Sequence, residues 1–257
     1  MLIKNGLANQ FFEKYGLLPV RFETFTDDEM ALSEHIEEFS QRLIFCLFGF
    51  VFFTLICFLN IKQIVKLFQA PALGIKFLQF APGEYFFASV KIALFCGLLA
   101  SSPFILYQIF LYVIPGMTRK ERELVLPLVL GSGILFGIGL IFSYFFLVPA
   151  ALNFFIAYGS EVVEPFWSFD QYFNFVSLLI FTTGLAFQVP VLQFILGFLG
   201  IISGKKMLSL WKYVVVIATI IAAIITPSTD PVTQILMASA LLLLYLGGAG
   251  AVLLLDK

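Results

Sequence analysis

Carboxylates and guanidiniums set into an otherwise apolar chain are the groups with chemistry to offer. The stretch LSEHIEEFSQRL places Glu34, Glu37 and Glu38 at i, i+3 and i+4, so a helix carries all three on one face. Glu38 and Arg42 form a further i, i+4 pair just before a long apolar run. Such a face serves either as a solvated surface or as an acidic patch that accepts a cationic ligand. A second stretch, VIPGMTRKERELVLP, packs Arg119, Lys120, Glu121, Arg122 and Glu123 into consecutive positions between apolar runs. Pro115-Gly116 marks a turn there, and Thr118 followed by Glu121 fits a capping box at the start of a helix. Glu121 is therefore a helix cap or a second binding carboxylate. Two carboxylates at a partly dry surface suit a pair of guanidinium groups, because arginine prefers planar, bidentate partners.

Within the apolar runs polar residues are few, and a charge at the centre of a bilayer costs at least about 2.5–3.5 kcal/mol on insertion scales. Lys91 can snorkel to an interface. Gln188, in AFQVPV, lies inside a run beside the helix-disrupting Pro190, so its amide must find a partner within a bundle or a bound ligand. Asp230, in TPSTDPVTQ, sits between Pro227 and Pro231, where turn chemistry suffices to explain it. Thr226 and Gln234 flank that turn and can hydrogen-bond a partner helix. His35 is the only histidine, which speaks against a histidine metal site and against a catalytic triad. HExxH, P-loop and GxSxG patterns do not occur. Cys46, Cys57 and Cys96 lie in apolar runs without CxxC spacing and read as buried thiols. Neither enzymatic activity nor a cofactor is expected.

The elements that position these residues follow from composition. The chain is 61% hydrophobic and 12% charged, with a mean hydropathy of +1.02. A soluble domain could not hide that much apolar surface, and the natural solvent for it is a bilayer. A net charge of −1 argues against a nucleic-acid partner. Spans are expected at residues 41–60, 88–112, 127–149, 172–197, 211–226 and 233–253. The fifth is short: roughly 16 residues give about 24 Å of helix. Arg119, Lys120 and Arg122 follow the second span, and Lys205, Lys206 and Lys212 follow the fourth. The turns after the third and fifth spans carry Glu161, Glu164, Asp170 and Asp230 instead. This bias puts both termini, with Glu38 and Glu121, on the cytoplasmic or stromal side. Lys62, Lys66 and Lys76 after the first span dissent mildly. Residues 1–30 form a polar extension without a signal-peptide core, and residues 31–257 form the six-span membrane domain. No internal repeat is visible.

LSEHIEEFSQRL, SSPFILYQIFLYVIPGMTRKERE, AFQVPV and ITPSTDPVTQ, in this order among six spans, resemble the TatC family of the twin-arginine protein translocase. The resemblance extends over about residues 31–255. APGEYFFASVK, VVEPFWSFDQYF and SLWKYVVV resemble the cyanobacterial and chloroplast branch. It implies an all-α integral membrane protein, six helices in a concave, glove-like bundle, in the plastid thylakoid membrane or alternatively a bacterial one. It implies a receptor for twin-arginine signal peptides of folded precursors. Matching the motifs residue by residue assigns recognition of the paired arginines to Glu38 and Glu121. Gln188 takes the intramembrane position where many bacterial members have Glu. Asp230 matches the acidic residue of the last lumenal turn, and Thr226 and Gln234 match positions contacting a single-span partner. The partners implied are TatA-like and TatB-like subunits, with several copies of the receptor in one complex driven by the proton-motive force. The family usually has Arg where this chain has Ser40, and Arg42 stands nearby to compensate. A secondary transporter or proton-coupled carrier is the alternative, and it calls for a charged midplane site between repeats. A polytopic scaffold without a ligand is the other.

Overall fold

The computed structural model describes residues 32–72, 75–113, 119–159, 166–226 and 230–255, without the side chains of 32–35, 113, 119–125, 159 and 255. The polar extension, 1–30, and Thr118 lie outside these residues. Contacts divide the chain into two units, one ending at Phe39 and one running from Ser40. In the first unit the backbone is helical from Leu32, Glu38 is half-buried and Ile36 and Phe39 are exposed.

The second unit is a helical membrane domain. A bilayer offers no water to backbone N–H and C=O groups, so each apolar run must satisfy them within itself as helix. In chain order the helices are α1 (Leu32–Leu59), α2 (Ile61–Gln69), α3 (Glu84–Val113), α4 (Arg119–Phe142), α5 (Val148–Gly159), α6 (Phe169–Ala186), α7 (Val189–Phe198), α8 (Gly204–Ser209), α9 (Trp211–Ile225) and α10 (Pro231–Leu255). Five stretches among the described residues are long and apolar enough to cross a membrane: Ile36–Leu59, Glu84–Tyr112, Leu126–Tyr158, Phe169–Phe198 and Pro231–Leu254. The shorter apolar helix Trp211–Ile225 is the sixth, at the place expected from sequence. Large side chains such as Phe48, Phe52 and Leu55 project outward, as they do when lipid is the solvent.

Two spans contain irregular turns that hydropathy did not reveal. The third continues past Pro149 to Tyr158, well beyond the expected end at 149. A π turn, Ser143–Leu147, precedes the proline, and the Val148 N–H bonds the Ser143 carbonyl five residues back. The shifted register accommodates a residue that has no N–H to give. The fourth span breaks between Ala186 and Val189, with Pro190 in the first turn of the new helix.

The segment after α1 also differs from a plain loop. Helix α2 buries Val65 and Phe68 and exposes Lys62 and Lys66, so those lysines belong to an amphipathic helix rather than to a topology signal. Two short strands, β1 (Lys76–Leu78) and β2 (Phe166–Ser168), pair in parallel with Phe77 opposite Trp167. They tie the segment leading into α3 to the segment leading into α6. The core gathers on α6, where Phe169, Tyr172, Phe173, Val176 and Ile180 recur at helical spacing. Ala88 and Ile92 of α3 and Leu147, Val148, Ala151 and Leu152 complete it. Small residues allow the helices close approach: Gly97 of α3 lies against Thr54 of α1, and Gly184 of α6 lies against Phe136 of α4.

Candidate functional site

Arg42, four residues past the Glu38 position that the helix α1 carries half-buried, donates from Nη1 to Gln108 Oε1 at 3.3 Å. Gln108 is 7% exposed on α3, so the guanidinium has an anchor inside the second unit. Sequence reasoning did not single out Gln108. The available signal was a lone amide in an apolar run, the same signal that drew attention to Gln188. Glu121 belongs to the first turn of α4, and its side chain lies outside the described residues, as does that of Glu34.

Gln188 finds its partner within the protein. It occupies the N-cap position of α7, and Nε2 donates to the main-chain oxygen of Ser132 on α4 at 3.0 Å. A cleft of about 670 Å³ opens beside it between α4, α7 and α10. Gly131, Leu135, Pro190, Phe194, Leu244 and Gly248 are among its lining residues, and the lining is apolar throughout. Deeper in the α7–α10 contact, Gln193 Nε2 donates to the Tyr245 carbonyl at 3.2 Å while Gln193 Oε1 sits against Gly248 without a hydrogen bond.

The helix ends on either side of residues 227–229 are closed by local side chains. Asp230 is fully buried, and Oδ1 accepts from the backbone N–H of Val232 and of Thr233, each at 2.9 Å. Its Oδ2 accepts from the Thr233 hydroxyl. This is N-terminal capping, with a carboxylate at the positive end of the helix dipole. Thr226 is 3% exposed and donates to the Ala222 carbonyl at 2.8 Å, closing the end of α9. Gln234 is half-buried and reaches the Thr219 carbonyl at 3.5 Å, bridging α10 to α9. On the same side of the domain, Lys91 and Asp170 make an ion pair at 2.7 Å between α3 and α6. Lys91 thus has a specific acceptor as well as a route to the interface. Among the described residues, no three of His, Cys, Asp and Glu gather as metal ligands would.

These features define a multi-pass helical membrane protein with a broken fourth span beside an apolar cleft and with its charges kept at the ends of the spans. The sequence pattern of TatC, the Sec-independent protein translocase protein, matches residues 34–239. The chain belongs to the TatC family, that of the receptor subunit of the twin-arginine translocase. It is 58% identical over 228 residues to a tatC-like protein of Guillardia theta, covering 89% of this chain and 79% of that one. It is 53% identical to the Sec-independent protein translocase protein TatC of Synechocystis, covering 90% of this chain and 91% of that one. Against the chloroplastic TATC of Pisum sativum the identity is 53%, covering 91% and 67%. A crystal structure of the twin-arginine translocase receptor TatC superimposes with a TM-score of 0.73 at 34% identity, covering 87% of this chain and all of that one. The chain is a multi-pass protein of the thylakoid or plastid membrane and a component of a protein translocase.

Proposed function

We propose that this chain is the signal-peptide receptor of a twin-arginine translocase and that Glu38 and Glu121 recognise the paired arginines. The observation that carries this is the family match across residues 34–239, which contains both carboxylates in their motifs. The half-burial of Glu38 supports it further, because a carboxylate partly withdrawn from water binds a guanidinium more strongly than a solvated one. The apolar part of the signal peptide then lies in the cleft between α4, α7 and α10, whose lining offers it no competing polar group. Receptor copies assemble with TatA-like and TatB-like single-span subunits, and folded cargo crosses at the expense of the proton-motive force without catalysis by this chain. Gln234 is the partner-facing amide of the last turn, since its 3.5 Å bond leaves it hydrogen-bonding capacity. Buried Thr226 and Asp230 act by holding that turn in shape.

The test is cross-linking of a twin-arginine signal peptide to the protein in membranes, with a twin-lysine peptide as control. Capture that needs the arginines and falls in both Glu38→Ala and Glu121→Ala supports the assignment. Capture of neither peptide by the wild type removes the receptor reading. Arginine-dependent capture that Glu121→Ala leaves intact makes Glu121 a helix cap and moves recognition elsewhere.

A further inference from the structure

A second cavity, of about 640 Å³, shares no lining residue with the cleft. Its walls come from Phe80 just before α3, from Leu152 and Phe155 of α5, and from β2 with the first turns of α6. The second and fourth spans begin here and the third ends here, so the cavity lies at one membrane–water boundary. Its volume falls in the usual range for small-ligand sites.

Aromatic rings dominate the lining. Trp167 stacks on Tyr172 with ring planes 23° apart, and Phe155 meets Phe175 edge-on at 5.8 Å. Among the described residues, the charges beside the cavity are already engaged. Glu84 accepts from Ser168 Oγ at 2.6 Å and from the Phe80 N–H at 2.7 Å, and Lys91 is paired with Asp170. The Tyr172 hydroxyl donates to the Phe68 carbonyl at 2.6 Å. Two lining groups remain uncommitted: the Trp167 indole N–H and the Gln171 side-chain amide have no hydrogen bond to any described residue. The cavity therefore offers flat apolar faces, neutral donors and one neutral acceptor. A phosphate would need a cation that the lining lacks. A hexose fits, because one face of the ring is C–H and lies on aromatic carbon while its hydroxyls bond amides and indole N–H groups.

We propose that this cavity holds the sugar headgroup of a glycolipid at the membrane boundary, with the hexose against Trp167 and Tyr172 and bonded to Gln171. The inference is independent of the signal-peptide assignment, since it uses none of the residues placed there.

The chain has two tryptophans, so Trp211→Phe leaves Trp167 as the sole indole reporter. The protein carrying that change, in phosphatidylcholine vesicles, is titrated with digalactosyl diacylglycerol while Trp167 emission is followed. A saturating change is expected, absent with phosphatidylglycerol and absent with free digalactose. Gln171→Leu should raise the half-saturating lipid fraction about fivefold, the effect of losing one hydrogen bond. Gln171 is exposed, so this variant should keep the unaltered melting temperature. Phe155→Ala provides a second variant with the same expected direction. A flat or linear titration overturns the proposal, as does an undiminished response in Gln171→Leu. An equal response when phosphatidylcholine is titrated into phosphatidylethanolamine vesicles makes the rings a cage for quaternary ammonium, and an equal response to free digalactose makes the ligand a soluble sugar. Either result also overturns it.

Discussion

Gln188 Nε2 lies 3.0 Å from the backbone oxygen of Ser132, so the break in the fourth span is fastened to the third by an amide that only donates at this contact. Replacement by Leu removes the bond and should cost about 1 kcal/mol. Melting in detergent checks this: Gln188→Leu should unfold below the parent protein, and an unchanged melting temperature would refute the donor role.

The last span depends on its cap. Asp230 Oδ1 receives two backbone N–H groups at the start of α10. Asp230→Ala should destabilise the domain by about 1–2 kcal/mol, read from the unfolding midpoint in a denaturing detergent titration. Asp230→Asn should cost less, because the amide oxygen still caps. If Asn costs as much as Ala, the negative charge itself is the requirement and the capping account is insufficient.

Two glycines give a matched pair of opposite expectation. A Cβ on Gly97 would run into Thr54, its backbone Cα included at 2.7 Å, whereas a Cβ on Gly131 meets nothing within 4 Å. Gly97→Ala should therefore cost about 1–3 kcal/mol through forced separation of α1 and α3. Gly131→Ala should stay within about 0.5 kcal/mol of the parent. Unfolding midpoints measured side by side check both, and the reverse order would mean that Gly97 does not mediate close packing.

The Lys91–Asp170 pair is 47% and 27% exposed on its two sides, so water screens it and its coupling should be small. An alanine double-mutant cycle should give about 0.2–1 kcal/mol. Asp170 also accepts from Asn174 Nδ2 at 3.2 Å and sits in the first turn of α6, so Asp170→Ala alone should cost more than Lys91→Ala. A coupling well above that range would place the pair in a drier setting than its exposure indicates.

Length and apolarity of the runs determined the membrane class and the positions of the six spans, because a helix in lipid must satisfy its own backbone and can do so from local sequence alone. Motif order determined the family. The charged stretches around Glu38 and Glu121 were legible for the same reason, being rare and dense in an apolar chain. The tertiary structure decided what each isolated polar group does. Gln188 meets Ser132 across 56 residues, Arg42 meets Gln108 across 66, and Lys91 meets Asp170 across 79. Periodicity says which face a side chain occupies and carries no information about which distant atom stands opposite. The π turn at Ser143–Leu147 and the strand pair of Lys76–Leu78 with Phe166–Ser168 were hidden likewise. The first is a one-residue change of register ahead of Pro149, too local for hydropathy to reveal. The second exists only because two segments far apart in sequence are brought to the same end of the bundle, and the aromatic cavity beside it forms there too.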